Sequence, residues 1–239
     1  MVPMAWIDRL ELFSTYDAIG FCLLMVSWVG STWIIEHAPK SYPSMSQMMA
    51  EFRREWMVQF VTRQPRIYDG QIIASLRQGT AFFASASMIA IGGGFALLGN
   101  AERLGGVAQD LTFENEPLVL LEIKLVVLIL LAANAFLKFV WSHRLFGYCS
   151  VLMSAVPNEV DDPKAMPMAM QAAEINITAA RGYNRGLRSV YFGIASSAWL
   201  LGAGPLILAT LIALGVILRR EFASHSRQVL LHGAPVAKS

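Results

Sequence analysis

Four runs of this chain, 16–35, 78–98, 118–140 and 190–218, approach the roughly 20 apolar residues that a helix needs to cross about 30 Å of hydrocarbon. A bilayer offers no water to unpaired backbone groups, so runs of this kind are confined to helices. The expected fold is therefore all-α, an integral membrane four-helix bundle. Mean hydropathy of +0.49 and 55% hydrophobic residues over 239 residues exclude an ordinary soluble domain. A formal net charge of only +2 excludes the dense basic surface that nucleic acid requires.

The polar residues inside and between these runs carry the rest of the reading. Span three, with its continuation LVLLEIKLVVLILLAANAFLKFVWSHRLFGY, places Lys124, Asn134 and Lys138 on one helix side as an intramembrane polar stripe. Glu122 points roughly the other way and is the candidate charge partner. An ionisable group in hydrocarbon costs several kcal/mol unless it pairs, snorkels or lines water, about 3 kcal/mol on insertion scales. Span four carries Gly202, Gly204 and Pro205 at its middle. Halves of that run are too short to cross twice, so a single tilted, kinked helix is expected. In span two, Ala86, Ala90 and Gly94 recur at every fourth position, which favours close helix packing within the bundle.

The loops have their own helical pattern. Ser44 and Gln47 have capping-box spacing, and Met45, Met49, Phe52, Trp56 and Phe60 then repeat at helical intervals up to a stop before Pro65. Asp69 is read as the cap of a helix that runs on into span two. Span three is expected to continue toward Pro157, and a further helix begins near Met166. On that helix Glu174, Thr178, Arg181, Arg185 and Arg188 share a face, and Arg181, Arg185 and Arg188 form a candidate anion or lipid face. The turn between them holds Asp161 and Asp162 before Pro163, where Asp supports a bend.

Lys and Arg cluster in the first and third loops, so 36–77 and 141–188 are expected in the cytoplasm and the N-terminus outside. Arg219, Arg220 and Arg227 contradict this scheme, because four crossings put them outside. Residues 1–231 are read as one membrane domain and 232–239 as a flexible tail, with an interfacial helix or a frayed terminus before the first span. Trp28, Trp33, Trp141 and Trp199 are candidate depth anchors. Cys22 and Cys149 are expected as free, buried thiols.

The blocks AEFRREWM, TRQPRIYDGQIIASLRQGTAFFASASMIAIGGG, NAFLKFVWSHRLFGYCSVLMSAVP and AAEINITAARGYNRGLRSVYF together resemble a domain-of-unknown-function family of small integral membrane proteins of alphaproteobacteria. The resemblance extends from about Trp6 to Leu231. It implies a bacterial inner-membrane location and no activity, cofactor or catalytic residue.

The residues themselves point the same way. His37, His143, His225 and His232 have no metal-ligand spacing, and no nucleophile elbow or phosphate loop is present. No catalytic residue, metal or cofactor is expected. Two functions remain. One is a non-enzymatic scaffold or accessory subunit, which would contact anionic lipid or a membrane-protein partner through Arg181, Arg185, Arg188 and the helix after Ser44. The other is an oligomeric channel or transport component for a small anion, built on Lys124, Asn134 and Lys138. The scaffold is the preferred reading.

Overall fold

The computed structural model describes residues 13–112 and 117–232, so the expectation of an interfacial helix or a frayed terminus falls mainly on residues before Phe13, and with the expected tail after His232 these lie outside the described residues. The described chain is helical: α1 (Thr15–Glu36), α2 (Met45–Thr62), α3 (Ile67–Leu98), α4 (Ala101–Thr112), α5 (Leu118–Ala155), α6 (Ala165–Ser197), a 3-10 turn (Ala198–Leu201), α7 (Ala203–Phe222) and α8 (His225–His232). Three of these, α1, α3 and α5, are long and apolar enough to cross a membrane. The simple four-helix count is thus replaced by a longer series.

The largest correction concerns the run 190–218. It is two helices, not one kinked helix. Gly202 has φ of 109°, in the left-handed region open to glycine, and ends the 3-10 turn. Pro205 then falls in the first turn of α7, where its missing N–H leaves no helical bond unmade. The chain also reverses there. Asn184 of α6 donates to Ser46 Oγ at 3.3 Å, and Glu221 at the far end of α7 accepts the Ser46 N–H at 3.0 Å. At 1.5 Å per residue, α6 travels about 20 Å beyond Asn184 before the turn, and α7 travels back. The first part of the run is the end of α6, a helix that starts at Ala165. Within α6, Asn176, Arg188 and Ser189 are buried, whereas Glu174, Thr178, Arg181 and Arg185 stay exposed.

The chain divides into two compact units. Unit one comprises residues 1–32, 85–136 and 187–216. Its helices meet at small residues. A Cβ on Gly94 of α3 would lie 2.6 Å from Ile129 Cγ1 of α5, and one on Gly20 of α1 would lie 2.9 Å from Leu206 Cδ2 of α7. Of the expected small-residue stripe, Gly94 makes this contact, whereas Ala86 and Ala90 are exposed. Much of this part of α3 is open, including Met88, Ile89 and Phe95. The short helix α4, between α3 and α5, packs on the 3-10 turn.

Unit two comprises residues 33–84, 137–186 and 217–239. Ser44 caps α2, and the reciprocal Gln47 bond completes the expected capping box. The helix ends at Thr62, ahead of Pro65 as expected. Its inward face is Ala50, Met57, Phe60 and Val61, while Met49 and Phe52 stay exposed, a rotation of about one position from the expected stripe. Met57, Phe60 and Val61 join Ile73, Cys149, Met153 and the small face Ala165, Ala169, Ala172 and Ala173 of α6 in one core. Helix α5 does continue to Ala155, and α6 starts at Ala165, each within a residue or two of the sequence reading.

Asp69 does not cap α3, which begins two residues earlier. It is a buried acceptor for Trp56 Nε1 at 2.6 Å and for the Arg63 guanidinium. Asp162 behaves as expected and accepts the Lys164 N–H at 2.7 Å in its turn. Cys149 is buried, but Cys22 is exposed, because it lies on the outward side of α1.

Candidate functional site

Lys124 and Asn134 of the expected stripe meet different neighbours. Lys124 is 1% exposed, its ammonium 5.8 Å from the centre of the Trp199 ring and near enough to Asp17 for the two charges to interact. Asp17 in turn accepts Trp199 Nε1 at 2.7 Å and the Ser14 hydroxyl at 2.6 Å. Asn134 donates to Ser189 Oγ at 2.7 Å, and Trp28 Nε1 donates to the same oxygen at 3.2 Å. Lys138 and Glu122 are half-buried; Lys138 belongs to unit two and Glu122 to unit one. Two of the expected depth anchors, Trp28 and Trp199, spend their indole N–H inside the protein, whereas Trp33 and Trp141 are exposed.

The arginine face is likewise divided. Arg185 makes a two-pronged bond to Glu36, with Nε to Oε1 at 2.8 Å. Arg188 is buried and donates to Thr32 Oγ1 at 3.0 Å. Glu174 accepts from Arg54 Nε at 2.7 Å, and this bond, outweighing burial and aided by Glu51, raises the Arg54 pKa above the ordinary arginine value. Arg181 of the expected trio lines a cavity.

That cavity is the strongest candidate site. It has a volume of about 590 Å³ and lies within unit two, between α2, α3, α5, α6 and α7. Arg53, Arg181 and Arg220 reach its wall, with Tyr183, Asn184 and Glu221. Burial holds the Arg53 pKa below the ordinary arginine value, and its hydrogen-bond partner is the neutral Asn176 side chain. Glu221 is already engaged, accepting both the N–H and the hydroxyl of Ser46 in the first turn of α2. That placement satisfies an unpaired helix N–H and sets a carboxylate at the positive end of the helix. Sequence reasoning misses Arg53 and Arg220 at this cavity. Arg53 falls between the apolar positions of α2, and Arg220 enters only because α7 returns.

Among the described residues, no three His, Cys, Asp or Glu side chains gather as metal ligands. The arrangement can hold an anion by charge and by guanidinium forks.

Helices apolar enough to span a bilayer, with a basic helical unit, define the class of protein. The chain belongs to the family described as "Protein of unknown function, DUF599", whose model matches residues 19–226. No curated protein and no solved structure matches it.

Proposed function

We propose that the chain is a multi-pass protein of the bacterial inner membrane, acting as a non-enzymatic scaffold or accessory subunit. The observation that carries the topology is the return of α7 to the first loop. Glu221 bonds Ser46, and the Tyr42 hydroxyl donates to the Phe222 carbonyl at 2.9 Å, so Arg219, Arg220 and Arg227 share a side with loop 36–77. Five crossings, by α1, α3, α5, the end of α6 and α7, put the N-terminus outside and every arginine-rich stretch inside. The positive-inside rule is then obeyed throughout, and the conflict raised by the tail disappears. Within unit one, Arg103, Lys124 and Arg188 are the Lys and Arg among the described residues.

A reporter enzyme that folds only in the periplasm is expected to be active when fused after Asn100 and inactive when fused after His232. Activity after His232 would overturn the five-crossing topology.

The scaffold role draws on the way polar groups in the apolar helices are used. Asp17, Asn134, Trp28 and Arg188 each hydrogen-bond a residue of a neighbouring helical segment, which supports a structural use over conduction. Exposed Phe52 and Met49 on α2 offer a face to a membrane-protein partner or to anionic lipid. A photo-crosslinker placed at Phe52 in native membranes is expected to capture one reproducible foreign protein. Crosslinks confined to copies of this chain would favour an oligomeric anion channel instead.

A further inference from the structure

We propose that the cavity walled by Arg53, Arg181 and Arg220 binds a phosphomonoester carried on an apolar body. The site goes beyond the scaffold reading and stands whichever side of a bilayer these residues face.

Size comes first. A volume of about 590 Å³ lies within the usual range for small-molecule sites, roughly 300 to 1,000 Å³. It far exceeds the room that a phosphate group needs. The remaining wall is mostly apolar, with Met45, Met49, Leu76, Phe146 and Ile177. A ligand that fills it has one charged end and one greasy end.

Charge selects the head. The formal charges of Arg53, Arg181 and Arg220 against Glu221 leave an excess of about two positive charges. A phosphomonoester carries about −1.5 to −2 near pH 7 and matches that excess, whereas a single carboxylate carries half of it. None of the three arginines has a carboxylate partner among the described residues. Elsewhere in unit two, Arg54, Arg63 and Arg185 each have one. Arg53 is the most telling, since a largely desolvated guanidinium held by a neutral amide is costly until an anion arrives. Arginines contributed to one cavity wall by α2, α6 and α7 also suit the three oxygens of a phosphate, which accept paired N–H bonds.

Two sources share this chemistry, a lipid with a phosphomonoester headgroup and a soluble organic phosphate. The full-length protein, purified in a non-ionic detergent, distinguishes them by equilibrium binding of oleoyl lysophosphatidate and 1-naphthyl phosphate, with oleoyl lysophosphatidylcholine as the zwitterionic control. Binding of lysophosphatidate alone assigns a lipid ligand, and binding of both phosphates assigns a soluble one. The exposed arginines permit variants that spare the core. Arg181→Gln and Arg220→Gln are each expected to weaken binding about tenfold, as loss of a charge-assisted bond would. Arg144→Gln, outside the cavity, leaves it unchanged. The proposal is overturned if neither phosphate binds, if lysophosphatidylcholine binds as tightly as lysophosphatidate, or if the folded Arg181→Gln/Arg220→Gln double variant retains full affinity.

Discussion

Replacing Asp17 by Leu is expected to destabilise the protein by about 3 to 5 kcal/mol, the range seen when one member of a buried charge pair is removed. Asp17 is 6% exposed and serves three partners at once. It accepts the Trp199 indole N–H, it exchanges hydrogen bonds with Ser14 at the start of α1, and it interacts with the Lys124 charge. The Ser14 exchange is a capping box, worth about 1 kcal/mol. The larger share comes from Lys124 and Trp199, which keep their polar atoms in a largely apolar surrounding. Asp17→Asn separates these effects, because an amide oxygen still accepts from Trp199 while the charge is gone. Reversible unfolding in mixed detergent should rank the variants as wild type, Asp17→Asn, then Asp17→Leu. The double variant Asp17→Leu/Lys124→Leu should recover much of the loss, since a buried pair replaced by apolar groups is often neutral. A double variant as unstable as the sum of the two single variants would show that Asp17 and Lys124 do not act together.

Lys124 thereby changes meaning. Read from sequence, it was one of three polar groups on a helix face, and helical periodicity did place Lys124, Asn134 and Lys138 on one side. Periodicity says nothing about distance along the axis. Fourteen residues of α5 span about 21 Å, so each group meets a different neighbour. The same reasoning explains why Arg181, Arg185 and Arg188 share a face yet serve a cavity, Glu36 and Thr32. Local signals were the legible ones. The Ser44 and Gln47 cap, the stop before Pro65, the continuation of α5 to Ala155 and the start of α6 all follow from residues within a few positions of one another. The turn at Gly202 was visible as a Gly and Pro cluster, but its strength was not. Whether such a cluster kinks or reverses a helix depends on what the two halves pack against, and α6 concealed its length behind buried polar residues. Arg53 and Arg220 were out of reach for a related reason, since only the reversal brings the end of α7 to the cavity that Arg53 lines.

Asp69→Leu is expected to have an effect of similar size in unit two, about 3 to 5 kcal/mol, and to alter the cavity as well. The Asp69 carboxylate is fully buried near the N-terminus of α3, where the helix dipole favours negative charge. One oxygen takes hydrogen bonds from Trp56 and Arg63, and charge-assisted bonds of this kind contribute about 1.5 to 3 kcal/mol each. The other oxygen is buried without a partner among the described residues. Removing the carboxylate strands the Trp56 N–H, while Arg63, 37% exposed, can turn to solvent. Arg63→Gln should therefore cost only about 1 kcal/mol, close to a surface pair, and Asp69→Asn should fall between the two. Thermal or denaturant unfolding of the three variants checks that order, with Trp56 fluorescence reporting the local change. An Arg63→Gln variant as unstable as Asp69→Leu would move the energy from the buried carboxylate to the arginine. The joint also fixes α2 against α3, and both helices wall the cavity, α2 through Arg53 and α3 through Leu76 and Gly79. Partial loosening in Asp69→Asn should accordingly weaken phosphate binding while α6 and α7 keep Arg181 and Arg220 in place, so the affinity falls without any arginine having been removed.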